Sequence, residues 1–170
     1  MDLLWAAGVN GEGSSVVTFG FVENLVVNQD TSDVCIVFTA KSTLSSKISS
    51  LSLSSIENLS SRNVHFFRLP KVFRLYPFHF LIKFFFPVNI WFKRCVVFDD
   101  FPFRLASRQL LYFHQPNLIF GSSPLWIAKR FVFVILKSKR LLINFQTYHI
   151  RSSFVEVFGN CRSLCHLHQI

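Results

Sequence analysis

Acidic side chains are scarce in this sequence. Nine Asp and Glu face eighteen Lys and Arg, a formal net charge of +9 at pH 7. That imbalance favours anionic partners: nucleotide phosphates, nucleic acid or acidic lipid headgroups. Nucleic acid is set aside, because there is no zinc-finger spacing, no aromatic RNA-binding motif and no basic helix carrying base-reading side chains. Cysteine is also sparse. Cys35 and Cys95 sit inside apolar runs and read as reduced core thiols. Cys161, Cys165, His166 and His168 form a C-x3-C-H-x-H tail that fits zinc spacing poorly and has no second ligand pair, so no metal is expected. No cofactor is expected either.

Two kinds of hydrophobic run are missing. The opening "LLWAAGV" follows Asp2 and lacks a basic leader, so it does not read as a signal peptide. The most apolar stretch, Phe78 to Phe92, is shorter than the ~20 residues a spanning helix needs and is interrupted by Lys83 and Pro87. The expected location is therefore cytoplasmic, with a peripheral position at the inner face of the plasma membrane as an option. Lys71, Arg74, Lys83, Lys93 and Arg94 flank or interrupt that stretch, as in a segment lying on an anionic surface.

What is present is apolar bulk. Hydrophobic residues make up 51% of the 170 positions, 22 of them Phe, which excludes a disordered chain and suffices for one domain with a real core. The runs "DLLWAAG", "SDVCIVFTA", "NVHFFRLP", "CVVFDDFP", "RQLLYFHQPN" and "LLINFQT" read as strands. Between them lie helical patterns. In "SSVVTFGFVENLVVN" Val17, Phe21 and Leu25 recur four apart, with Ser14 or Ser15 as cap. The serine-rich stretch after Lys41 reads as a weak surface helix plus loop. Leu75 to Phe92 is a helix broken near Pro87, Pro124 opens another, and "IRSSFVEVFG" is a short one stopped by Gly159.

Strands alternating with helices predict an α/β fold: a single Rossmann-like domain with a mostly parallel sheet and helices on both faces, spanning 1–158. Residues 159–170 form a tail to which the sequence assigns no definite structure. In such sheets ligands bind at the carboxyl ends of strands. Those ends carry the glycine-rich "AAGVNGEG" after Trp5, "DDFP" after Phe98, "HQPN" after Phe113 and "QT" after Phe145. Their convergence on one crevice is the structural basis of the functional reading. Gly11 and Gly13 do not complete a dinucleotide fingerprint, since Val16 stands where the third glycine belongs. The loop is read either as facing a sugar or diphosphate or as a plain strand–helix turn.

The order strand, glycine-rich loop, helix, followed by "VVFDDFPFRL", "LLYFHQPNLIF" and "NFQTYHIRSSFVEVFG", resembles the N-terminal half of GT-B glycosyltransferases of the glycosyltransferase-4 type, in particular bacterial enzymes of surface-polysaccharide assembly. The resemblance implies an acceptor-binding domain, with the nucleotide-sugar donor held mainly by a second domain through a paired-glutamate motif. Glu12, Glu23, Glu57 and Glu156 form no such motif. The implied partners are a glycan or lipid-linked acceptor, a nucleotide-sugar donor only together with a second domain, and a separate chain supplying that domain. His114 and Asp99 are the catalytic candidates. Gly11, Gly13, Ser14, Asp100, Gln115, Asn117, Gln146 and Thr147 are the substrate-binding ones. Each has a plainer reading beside it: His114 as a histidine ending a strand, Asp99 and Asp100 as turn caps. Two other functions stand against this one: a noncatalytic membrane-surface or scaffold protein, and a truncated or frame-disrupted product without function.

Overall fold

A computed structural model describes residues 1–9, 12–27, 33–40, 42–49, 64–137 and 140–165. Seven parallel strands form one sheet in the order β3-β2-β1-β4-β5-β6-β7. They are β1 (Asp2–Ala6), β2 (Val34–Thr39), β3 (Val64–Leu69), β4 (Cys95–Val97), β5 (Gln109–Phe113), β6 (Leu141–Phe145) and β7 (Arg162–Cys165). The order reverses between β1 and β4, as in a Rossmann-like domain, so a crevice opens beyond the carboxyl ends of those two strands. The α/β parallel architecture is the one expected from the sequence. In the tail, β7 pairs with β6.

Helices cover the sheet on both faces. On one side α1 (Glu12–Val27) and α2 (Thr43–Ser49) enclose Leu4, Ala6, Ile36 and Phe38 through Val22, Leu44 and Ile48. Ser14 and Ser15 lie within the first turn of α1 rather than capping it. The buried row of α1 is Ser15, Thr18 and Val22, while Val17 is exposed. Small hydroxyl residues can face the sheet because the helix satisfies them: Thr18 Oγ1 donates to the Ser14 carbonyl at 2.7 Å. Helix α2 has a true cap in Ser42, whose Oγ accepts from Ser45 N at 3.0 Å.

The other face carries the larger core. After a 3-10 turn (Lys71–Arg74) come α3 (Tyr76–Phe85) and α4 (Val88–Trp91), then α5 (Asn117–Phe120), α6 (Pro124–Leu136) and α7 (Tyr148–Phe158). The break expected at Pro87 falls there, with Phe86 extended at φ −68, ψ 119. Leu3, Val97, Leu111, Phe113, Ile143 and Phe145 meet Val88, Leu118, Phe133 and Phe154 in one cluster. Helix α7 ends at Gly159, whose φ of 75° lies in the left-handed region that glycine enters without a Cβ penalty.

Candidate functional site

Because all strands are parallel, the segments that follow β1, β4, β5 and β6 share one edge. At the switch between β1 and β4 the backbone of Gly8 lies against Asp99. A Cβ at position 8 would stand 2.7 Å from Asp99 Cβ and 3.2 Å from His79 Cε1, so this position demands glycine.

Asp99 anchors a buried charge cluster. Its carboxylate lies 3.0 Å from Lys83 Nζ and 3.1 Å from His79 Nε2, and it accepts from Phe101 N at 3.3 Å. The side chains of Lys83 and Asp99 are 0% and 1% exposed. Burial alone would raise the Asp99 pKa, but Lys83 and His79 outweigh it and hold it at about 2. Burial lowers the Lys83 pKa, and Asp99 opposes that shift. The Lys83 ammonium also lies 4.0 Å from the ring centre of Phe103 and 5.0 Å from that of Trp5. His79 and Lys83 stand four apart on α3 and so share its inward face. Neither was selected from the sequence as a site residue. The signal that marks them is a polar pair at helical spacing inside the apolar run "FHFLIKFFF".

The loop from β4 to β5 is braced from below. Gln109 imitates a neighbouring strand: its Oε1 accepts from Phe103 N at 2.9 Å and its Nε2 donates to Phe103 O at 2.8 Å. Asn89 Oδ1 accepts from Ser107 N at 2.6 Å. These bonds fix the chain on which Asp99 and Asp100 ride. Asp100 pairs with Lys129 of α6 at 3.0 Å.

His114 and Gln146, from the ends of β5 and β6, come together. Gln146 Nε2 donates to His114 Nδ1 at 3.1 Å. The donated bond leaves the ring proton on Nε2, which is buried and has no hydrogen-bond partner among the described residues. The imidazole lies nearly parallel to Tyr112 and Phe98, with ring centres 6.2 and 6.3 Å away. Burial lowers its pKa, partly offset by the Asp100 carboxylate, so His114 is neutral at pH 7.

The remaining candidates have these places. Gly11 lies outside the described residues, and Gly13 and Ser14 belong to the first turn of α1. Gln115 O and Asn117 O accept the backbone bonds that shape α5. Arg130 of α6 clamps that turn, donating to Leu118 O at 2.9 Å and to Gly121 O at 2.7 Å. Thr147 caps α7, its Oγ1 accepting from Ile150 N at 3.3 Å. Among the described residues no cluster of His, Cys, Asp or Glu is placed to hold a metal ion; His166 and His168 lie outside them. Burial pushes Cys95 up to about 12 and raises Cys35 and Cys161, which keeps these thiols protonated.

The edge thus combines a rigid anionic anchor, a neutral imidazole whose buried Nε2 has no partner among the described residues, and the amide that orients it. That arrangement suits binding a polar, uncharged or anionic oxygen ligand. No protein-family model matches this chain, and no curated protein matches it.

Proposed function

We propose that this chain is the acceptor-binding half of a nucleotide-sugar-dependent glycosyltransferase that builds surface polysaccharide or lipid-linked glycan, with a donor domain needed for turnover. The observation that carries the reading is the His114–Gln146 pair at the carboxyl edge, beside the β1/β4 switch. In the tautomer set by Gln146, His114 donates from Nε2 to a sugar hydroxyl or phosphate oxygen once the side chains that bury this nitrogen move aside for the ligand. Asp99 and Lys83 hold the β4 end in place for that contact rather than exchanging protons with the ligand. The resemblance of "VVFDDFPFRL" and "LLYFHQPNLIF" to the N-terminal domains of the glycosyltransferase-4 type supports the same assignment.

A site with one wall neither encloses the donor diphosphate nor excludes water. The purified chain is therefore expected to turn over no nucleotide sugar, measured as release of free nucleotide diphosphate. Turnover by the chain alone would contradict the half-site reading.

A second reading, a noncatalytic membrane-surface protein, has its own observation. Helix α3 exposes Phe78, Leu81 and Phe85, and α6 exposes Phe131, Val134 and Ile135. Exposed apolar faces of this kind mark docking surfaces. Basic residues on and beside these two helices are engaged within the domain. Lys83 is buried against Asp99, Lys129 pairs with Asp100, and Lys137 Nζ donates to Phe158 O at 2.8 Å. No helix among the described residues is long and apolar enough to cross a membrane. On this reading the protein floats with anionic vesicles, less so as salt rises. Equal flotation with neutral vesicles, or none with either, would remove electrostatic docking.

A further inference from the structure

A hollow of about 840 Å³ lies at the opposite, amino-terminal edge of the sheet. Its size falls in the upper part of the range for small-molecule sites, roughly 300–1,000 Å³. Beside it, one face of the sheet is only half covered among the described residues. The cross-strand row Leu4, Val96, Leu110, Leu142 lies in register on that face. Leu4 is buried beneath the α1 side, whereas Val96, Leu110 and Leu142 are only half-buried. Parallel sheets ordinarily have both faces covered. Phe21 of α1 stands as the wall where the cover stops.

Two residues upstream of Leu4, Val96, Leu110 and Leu142 stand Asp2, Arg94, Arg108 and Arg140, the arginines just before β4, β5 and β6, and all four line the hollow. Leu3 N donates to Arg94 O at 2.9 Å and Cys95 N to Arg108 O at 3.0 Å, so the ladder continues into this row. Arg162 of β7, opposite Leu142, closes the far end. Only Asp2 is acidic in the lining, and it pairs with Arg94. Among the described residues no ion pair engages Arg108, Arg140 or Arg162. Like charges on neighbouring strands, about 4.8 Å apart, repel and destabilise a sheet. A row of arginines above an open apolar floor is relieved by an anion that carries an apolar body.

We infer that this trough binds an amphipathic anion, an alkyl chain ending in a carboxylate or phosphate. The chain lies on Val96, Leu110 and Leu142, and the headgroup meets Arg108 and Arg140. Guanidinium forks match both headgroups in a bidentate manner. The inference is independent of the glycosyltransferase reading, since the two sites occupy opposite edges of the sheet.

The test is calorimetric titration of the whole chain with dodecyl phosphate and dodecanoate, kept below micelle formation, beside dodecanol and inorganic phosphate. Either amphipathic anion is expected to bind at least about tenfold more tightly than dodecanol, and inorganic phosphate alone only weakly. The double variant Arg108→Gln/Arg140→Gln alters exposed positions and should fold as the parent does, checked by circular dichroism. It is expected to lose about tenfold or more in affinity. Leu110→Glu, which places a carboxylate on the floor, is expected to abolish binding. Equal binding of dodecyltrimethylammonium, unchanged affinity in both variants, or no binding of either anion would overturn the proposal. Alkyl binding that survives both variants would locate it on the exposed faces of α3 and α6 instead, which likewise overturns it.

Discussion

Asp99→Asn is expected to destabilise the domain by about 3–5 kcal/mol, the cost of breaking a buried ion pair from one side. The substitution keeps the shape and removes the charge that holds Lys83, which is fully buried with its ammonium 3.0 Å from the carboxylate. Lys83 cannot reach solvent from α3, so the loss is not relieved by rearrangement of an exposed side chain. Chemical denaturation read by tryptophan fluorescence measures it. The double variant Lys83→Met/Asp99→Asn removes both charges and is expected to recover most of the loss, because a pair replaced by neutral groups of similar volume costs little. A double variant as unstable as Asp99→Asn alone would show that the pair is not the source. The pH dependence has a definite sign. The folded pKa of Asp99 is depressed to about 2 from 3.8, so its contribution is complete above the unfolded value and is lost as pH falls through the interval between them. Asp99→Asn should flatten that acid limb.

Phe154→Ala should cost about 3–5 kcal/mol, the range for emptying a buried phenylalanine site. Phe154 of α7 is fully buried, and its ring centre lies 5.2 Å from Phe113, 5.5 Å from Phe133, 5.1 Å from Phe145 and 4.6 Å from Phe158. These neighbours come from β5, β6, α6 and α7 itself, so the cavity cannot close by moving one element. The same denaturation experiment measures it. Phe154→Leu, which retains most of the volume, should cost clearly less. A loss below about 1 kcal/mol for the alanine variant would mean the site collapses freely.

The strands and their parallel arrangement were legible because each central strand is a continuous apolar, β-branched or aromatic run, which is what burial on both faces requires. "VCIVFT" is such a run, and "LLINF" departs from it only at Asn144. β7 was not legible. "RSLC" mixes polar and apolar residues, as an edge strand with one pairing side permits, so it lacks the apolar run that marks the central strands. The inward row of α1 was not legible for a related reason: Ser15 and Thr18 are polar, yet they are buried against the sheet with their small volumes. At the carboxyl edge, His114, Gln146 and Asp99 could be named from strand ends alone. The partners of Asp99 could not, since Lys83 and His79 are brought to it by the crossover from β3 to β4, far from the strand-end pattern. The arginine row at the amino edge needs register: Arg94, Arg108 and Arg140 are scattered in sequence and align only once β4, β5 and β6 are paired.

The central claim, a glycan-binding site built on His114 at the carboxyl edge, is tested most directly by nuclear magnetic resonance of the imidazole nitrogens and side-chain amides. The chain is titrated with a soluble oligosaccharide bearing a terminal diphosphate. A saturable shift of His114 Nε2 together with the Gln146 amide, lost in His114→Ala, is the predicted result. No change at either group at saturating ligand, or changes confined to the amino-terminal edge, would contradict it.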